Sequence, residues 1–231
     1  MIDVYLLPGL DGTGKLFETF EARRPNWANP IAVSYEREPD NSYPYLTEYA
    51  SSQIDSEKHR IIVGESFSGP IAVNLAYENS ENLLGLVLSA SFISTPSVLS
   101  RIPVPKAMLQ AAIAIAPHRF LAETLLLNGC PDRALLEKVI AVTQSLDPNV
   151  IAERVAAARG ADVSVAMSAV ECPVLYLQGR HDRVVPPSAA EEVLSLNGRA
   201  EISELDSPHM VLQCRPDESW EAITRLHERY S

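Results

Sequence analysis

The stretch IVGESFSGP at residues 62–70 decides the fold prediction, because a buried strand runs into a helix across a turn of small residues. The apolar run ends at Val63, a helical pattern begins near Phe67, and small residues occupy 68–69. A turn this tight holds the residue at its apex in a strained conformation with the side chain exposed. We therefore identify Ser66 as a candidate nucleophile. The alternative is a serine that only caps the helix.

Short β-like runs and longer helical runs alternate on both sides of this stretch. We predict strands at residues 4–7, 31–35, 60–63, 84–89, 174–178 and 201–205, and helices at residues 15–23, 45–56, 67–77, 188–196 and 217–230. The middle strands are apolar on both faces, which is typical of a parallel sheet covered by helices. The pattern predicts an α/β fold, a three-layer α/β/α sandwich with a mostly parallel sheet of about six strands.

The alternation breaks once, at residues 92–169, which contain no convincing strand. Asp132 and Asp147 are each positioned to cap a helix there. The run at residues 106–116, rich in Ala, Ile and Met, indicates a buried helix face that could also line an acyl pocket. We predict one domain, residues 1–231, with a helical insertion that forms a lid over a pocket or only completes the core.

Composition limits the classes of protein and partner. With 46% hydrophobic residues the chain can build a core, and 19 basic against 30 acidic residues give a net charge of −11 that disfavours nucleic acid. Three scattered cysteines give no disulfide framework or zinc spacing and indicate a reducing compartment. The N-terminus carries no basic segment, and no apolar run approaches a membrane span. We expect a cytoplasmic protein without a membrane span, and the pattern does not predict its oligomeric state.

The stretch around Ser66 resembles the nucleophile elbow of the α/β-hydrolase family, Gly-x-Ser-x-Gly. The first glycine is Gly64, but Ser68 takes the place of the last one, and the glycine falls one residue later at Gly69. The resemblance implies the α/β-hydrolase fold and a serine esterase with a helical cap. It extends over nearly the whole chain, with the insertion as its least determined part.

A serine nucleophile needs a base, and the base needs an acid that orients it. The family places the acid and then the histidine on loops after later strands, which implies Asp182 in GRHDRVVP (residues 179–186) and His209 in DSPHM (residues 206–210). Asp206 is an alternative acid. The other four histidines fit the pattern less well, and they are His59, His118, His181 and His227.

Two backbone N–H groups are expected to form an oxyanion hole. The resemblance implies Phe67, which follows the nucleophile, and Leu10 in LLPGLDGTG (residues 6–14) after the first strand. The same loop also fits most of a P-loop, Gly-x4-Gly-Lys, but Leu16 stands where that motif needs Ser or Thr for Mg²⁺. A nucleotide-binding protein would leave the serine, the aspartate and the histidine unexplained.

The function expected from these residues is hydrolysis of a carboxylic ester with a small or medium acyl group, through an acyl-enzyme on Ser66. The substrate would be a small-molecule acyl ester or thioester, with no metal and no organic cofactor. A thioesterase or an acyltransferase on the same three residues is the alternative within the fold. A binding module without catalysis is the alternative outside it.

Overall fold

The computed structural model describes residues 1–95, 111, 115 and 117–230. Within them six parallel strands form one sheet in the order β2-β1-β3-β4-β5-β6. The strands are β1 (Ile2–Leu7), β2 (Ala28–Ala32), β3 (Arg60–Glu65), β4 (Leu83–Ser89), β5 (Val174–Gly179) and β6 (Ala200–Leu205). This confirms the predicted parallel sheet.

Helices cover both faces of the sheet. In chain order they are α1 (Glu18–Ala22), α2 (Tyr43–Gln53), α3 (Gly69–Glu78), α4 (His118–Leu121), α5 (Arg133–Ser145), α6 (Pro148–Arg159), α7 (Ser164–Ala169), α8 (Ser188–Leu196), α9 (Val211–Cys214) and α10 (Pro216–Tyr230). Single turns of 3₁₀ helix lie at Lys15–Phe17 and Ser66–Ser68, and a π-helical turn lies at Ala122–Leu126. No helix in the described ranges is long and apolar enough to cross a membrane.

Two apolar clusters make the three-layer packing, one on each face of the sheet. Side chains such as Ile62 and Leu88 pack against α2, α3, α7 and α8. Their neighbours Ile61 and Val87 point to the opposite face and pack against α1 and α10. Because successive side chains of a strand alternate between faces, a fully apolar strand is buried on both sides. The α/β/α sandwich follows from this pattern, as predicted.

The second strand begins earlier than predicted, at Ala28 rather than at residue 31. Pro30 reads as a turn residue, yet it lies in β2, which is an edge strand where a missing N–H costs no ladder bond. Tyr35, which was assigned to the strand, donates its N–H to Gly12 O at 2.7 Å instead. The chain after β2 therefore braces the loop that follows β1.

Residues 92–169, here called the connecting segment, join β4 to β5. Its residues 96–110, 112–114 and 116 lie outside the described part, and so does nearly all of the helix predicted at 106–116. Asp132 caps α5 by accepting from Leu135 N at 3.0 Å, and Asp147 caps α6 by accepting from Asn149 N at 2.8 Å. Both caps agree with the sequence. The division of the chain into one domain with a lid stays a prediction.

We expect Trp220→Ala to lower the free energy of unfolding by roughly 3–5 kcal/mol, because it removes a large buried ring. Trp220 stacks on Phe20 with ring centroids 4.3 Å apart, and its Nε1 donates to Phe20 O at 2.7 Å. Urea denaturation measures the change. Tyr77→Ala, at a side chain 53% exposed, is the control and should shift stability by about 0.5 kcal/mol or less. Equal effects of the two variants would contradict this packing of α10.

Candidate active site

The site begins where the strand order changes direction. The chain leaves β1 for β2 on one side and leaves β3 for β4 on the other, so the loops after β1 and β3 diverge. The two strands end side by side, with Leu7 paired to Gly64. A crevice forms at such a point at the carboxyl edge of a parallel sheet, and ligands of α/β proteins bind there.

The turn after β3 has the strained backbone that the sequence predicts. Ser66 has a φ of +48°, a left-handed conformation that few residues other than glycine adopt. A Cβ at Gly64 would lie 2.6 Å from the Cβ of Ala72, and one at Gly69 would lie 1.9 Å from Ser91 Oγ. Both positions therefore require glycine. The helix itself starts later than predicted, since a 3₁₀ turn at Ser66–Ser68 precedes α3.

The serine in place of the usual glycine has a structural use. Ser68 is fully buried, and its hydroxyl donates to the carbonyl oxygen of Pro8 in the loop after β1. This bond ties the turn after β3 to the loop expected to supply an oxyanion donor. The departure from the family motif therefore adds a contact between two parts of the site.

Ser66, His209 and Asp182 meet at the carboxyl edge of the sheet. Ser66 Oγ lies 3.0 Å from His209 Nε2, and His209 Nδ1 lies 2.9 Å from Asp182 Oδ2. The side chains of His209 and Asp182 are only 7% and 5% exposed, so water competes little for these hydrogen bonds. The structure thus brings together three residues that are up to 143 positions apart in the chain.

The second carboxylate oxygen of Asp182 is fully used by the backbone. Oδ1 accepts from the N–H groups of Val184 at 2.7 Å and Val185 at 3.0 Å. These bonds fix the carboxylate plane, which leaves Oδ2 for the imidazole. The side chain of Asp182 is therefore fixed on one edge by the backbone and on the other by His209.

Asp206, the alternative acid, lies apart from this chain of hydrogen bonds. It bonds His181 Nε2 at 2.8 Å, and its side chain is 64% exposed. That bond lowers the pKa of Asp206. His209 precedes the short α9, and the C-terminal helix begins only at Pro216.

The loop after β1, which carries Leu10, meets the turn of Ser66 and Phe67, where two N–H groups are expected to form an oxyanion hole. A Cβ built on Gly9 would contact the Cβ of Ser66 at 3.7 Å, so the loop after β1 passes directly against the serine. Among the described residues, the N–H groups of Leu10 and Phe67 donate no hydrogen bond. Tyr43 instead holds the carbonyl of Phe67, with its hydroxyl 3.1 Å from that oxygen. Both N–H groups are therefore available to a ligand.

The loop after β1 does not resemble a phosphate cradle. Leu10 and Asp11 present carbonyl oxygens, not N–H groups, to the side chain they surround, which is the guanidinium of Arg154. Lys15 pairs with Glu36 at 2.8 Å instead of facing the loop. A metal site is also not formed, since within the described ranges no three His, Cys, Asp or Glu side chains cluster to hold an ion.

Glu65 is a buried carboxyl group for which the sequence allows two interpretations, polar packing or an effect on the charge of the pocket. It lies next to the serine, and its Oε1 accepts from Gln213 Nε2 at 2.8 Å. Burial raises the pKa of Glu65 to about 7, and the hydrogen bond from Gln213 opposes part of that rise. Glutamate after Gly64 reads as ordinary polar packing, and Gln213 lies 148 positions away. Their contact becomes visible only when α9 packs beneath β3.

Hydrogen bonds from Ser91 and Tyr176 support the turn after β3, and neither residue was identified from the sequence. Ser91 follows β4 and donates its hydroxyl to the carbonyl oxygen of Ser66. Tyr176 in β5 donates its hydroxyl to Ser91 O at 2.6 Å. The strained serine is thus linked by hydrogen bonds to two neighbouring strands.

We expect the stability of the protein to fall as the pH rises from 5 to 8, in part because of Glu65. The folded chain holds this proton more tightly than the unfolded chain, so the stabilisation is complete below the unfolded pKa and is lost through about 7. Glu65→Gln should therefore gain stability relative to wild type across this range, by roughly 3 kcal/mol at most. Urea denaturation at both pH values measures the difference. Glu57→Gln, at an exposed position, is the control, and equal pH dependence in all three proteins would contradict the assignment.

Solved structures share this fold at low sequence identity. An esterase from Exiguobacterium antarcticum has a TM-score of 0.82 and 15% identity, covering 99% of this chain and 92% of its own. An enol-lactonase from Burkholderia xenovorans has a TM-score of 0.80 and 17% identity, covering 97% and 90%. A bromoperoxidase from Bacillus anthracis has a TM-score of 0.84 and 13% identity, covering 98% and 92%. Identities this low show a shared fold alone.

No protein of curated function matches the sequence significantly. A family model does, and its description is Hydrolase_4, serine aminopeptidase S33. It matches residues 45–206, which is more than half of the chain and includes Ser66 and Asp182. The chain therefore belongs to this family of α/β hydrolases.

Proposed function

We propose that the protein is a serine hydrolase that cleaves carboxylic esters of small or medium acyl groups through an acyl-enzyme on Ser66. The observation that carries the proposal is the unbroken hydrogen-bonded series from Ser66 Oγ through His209 to Asp182. A serine hydroxyl is a weak nucleophile until a base accepts its proton, and this arrangement supplies the base and the group that orients it.

In the first step Ser66 Oγ attacks the acyl carbonyl while His209 Nε2 accepts the hydroxyl proton. Asp182 accepts the hydrogen bond from Nδ1–H, keeps the imidazole in the tautomer that leaves Nε2 free, and stabilises its charged form. Because Val184 and Val185 hold Asp182 in place, the carboxylate needs no reorientation when the charge appears.

The tetrahedral oxyanion is assigned to the N–H groups of Leu10 and Phe67, which have no acceptor among the described residues. When the intermediate collapses, His209 gives the proton to the departing alkoxide. His209 then takes a proton from water, whose oxygen attacks the acyl carbon. The second intermediate collapses by breaking the bond between the acyl carbon and Ser66 Oγ, and His209 returns the proton to that oxygen as the acid leaves.

The connecting segment is assigned the part of a cap beside the acyl pocket. Met210 N, next to the histidine, donates to Leu126 O at 3.2 Å. Leu16 and Met210 share an apolar cluster with Leu135 and Val139 of α5. The segment thus packs on both loops that flank the serine. Two of the structural relatives are an esterase and an enol-lactonase, and a lactone is a cyclic ester.

We expect Ser66→Ala to lower kcat for a p-nitrophenyl ester at least about 1000-fold, because no other group could form the acyl-enzyme. Esters of graded chain length, assayed with wild type and variant, provide the measurement. A fluorophosphonate probe should label wild type and leave the variant unlabelled. Turnover that survives the substitution, in a variant with an unchanged melting temperature, would refute the proposal.

We expect Asp182→Asn to lower kcat by roughly 100- to 10,000-fold, because the amide favours the wrong imidazole tautomer. Asp206→Asn is the matched control and should leave kcat within about twofold, since Asp206 bonds only groups outside the site. Steady-state rates of the two variants distinguish the candidate acids. The reverse ranking would transfer the role to Asp206.

The leaving group is tested by comparing oxygen esters with thioesters of the same acyl chain. Faster kcat/KM for the thioester would identify a thioesterase. Formation of a new ester when an alcohol is added would identify acyl transfer. Matched anilides test amide cleavage, the reaction suggested by the family description. We expect hydrolysis of the oxygen ester to dominate.

A further inference from the structure

The loop after β1 turns sharply at the residue expected to bind the oxyanion. Gly12 N donates to Gly9 O at 3.0 Å, which closes a four-residue turn with Leu10 and Asp11 at its centre. The peptide group is planar and trans, so the direction of Gly9 O also fixes the direction of the Leu10 N–H. The groups that hold this turn closed therefore also set the direction of the Leu10 N–H, the proposed oxyanion donor.

Five successive carbonyl oxygens of this loop each accept a hydrogen bond. The donors are Ser68 Oγ to Pro8 O, Gly12 N to Gly9 O, Arg154 Nη1 to Leu10 O and Asp11 O, and Tyr35 N to Gly12 O. The N–H of Leu10 has no acceptor in the described part of the chain. These five carbonyl oxygens are therefore hydrogen-bonded within the protein, whereas the Leu10 N–H can bind a ligand.

Arg154 belongs to α6 of the connecting segment and holds the centre of the turn. Its Nη1 lies 3.0 Å from Leu10 O and 2.7 Å from Asp11 O. Its Nη2 lies 3.1 Å from Tyr35 O, and its Nε lies 2.8 Å from the amide oxygen of Asn41. One planar guanidinium therefore spans both central carbonyls of the turn and the carbonyl of Tyr35 in the chain after β2.

Burial of the Arg154 guanidinium costs free energy, because it removes a charge from water. Arg154 is 1% exposed, and among the described residues its acceptors are three main-chain carbonyls and one amide, with no carboxylate in direct contact. A buried charge that lacks an ionic partner opposes folding. Most of its donors are used, so it has little left for a substrate. Stability alone gives no reason for a guanidinium at this place.

The loop is shaped around the guanidinium. Gly12 has a φ of +69°, and a Cβ there would lie 2.0 Å from Arg154 Nη1. Only glycine lets the backbone pass this close to the arginine. Arg154 can therefore occupy this place only when residue 12 is glycine.

We infer that Arg154 is a positioning residue for the oxyanion hole, which clamps the turn at Leu10 and Asp11 so that the Leu10 N–H points at the developing oxyanion. The inference rests on the proposed function. It makes the connecting segment part of the catalytic apparatus, because α6 carries the clamp. Any displacement of α6 would be transmitted directly to the oxyanion hole.

Arg154→Lys is the first test, because it keeps the charge but cannot bond both carbonyls of the turn and the carbonyl of Tyr35 at once. We expect kcat for a p-nitrophenyl ester to fall roughly 10- to 100-fold, since full loss of an oxyanion donor costs about 100- to 1000-fold. KM should stay within about threefold, because the donor acts mainly in the transition state. The inhibition constant of a boronic acid, which mimics the tetrahedral state, should rise in step with the loss of kcat.

Arg159→Lys makes the same substitution in the last turn of the same helix and serves as the matched control, with kcat expected near that of wild type. In Arg154→Ala, millimolar guanidinium should restore part of kcat but leave KM unchanged. A purely structural arginine would lower the melting temperature without changing kcat or the boronate constant of the folded protein. That result would overturn the inference, as would a failure of both Arg154 variants to fold.

The two proposals fail in different ways. If wild type shows no Ser66-dependent hydrolysis of esters, thioesters or anilides, the proposed function is wrong. If wild type is active and Arg154→Lys matches it in kcat and boronate affinity, only the role of Arg154 is wrong.

Discussion

The left-handed backbone of Ser66 is the constraint on which the rest of the site depends. Such a conformation costs on the order of 1–3 kcal/mol and persists only where its surroundings enforce it. Here Gly64 lets β3 approach α3 and Gly69 lets α3 approach the chain after β4, while Ser91 holds the carbonyl of Ser66. The strain is offset by the packing of a sheet that is buried on both faces. In this conformation the serine hydroxyl lies 3.0 Å from His209 Nε2.

The acid and the histidine are held by an equally close contact between their loops. A Cβ on Gly179 would lie 2.4 Å from the carbonyl oxygen of Pro208, so the chain after β5 lies almost on the chain after β6. His181 N also donates to Ser207 O at 2.9 Å. These contacts are independent of the hydrogen bond between Asp182 and His209. The pair is therefore preorganised by the backbone, which is what electrostatic stabilisation of a transition state requires.

The sequence by itself predicted the sheet and the residues that meet in the site. Apolar runs without alternation indicated strands buried on both faces, and small residues around Ser66 indicated the sharp turn, because both signals are local. Asp182 and His209 followed from the resemblance and from their places after the last two strands. Local pattern was less reliable at β2, which was predicted from residue 31 but begins at Ala28 and includes Pro30, as an edge strand can. Edge position is a property of the sheet and is not visible in a short window of sequence.

Only the tertiary structure decided which groups support those residues. Arg154 reads as one charged residue in an ordinary helix, and its bonds to the loop after β1 span more than 140 positions. Gln213 meets Glu65 across a similar separation, and their shared burial, not their type, raises the pKa of the carboxyl group. Hydrogen bonds and burial of this kind arise from packing between distant elements. The sequence therefore determined the fold and the residues that meet in the site. Packing determined the orientation of the groups around them and the pKa of Glu65.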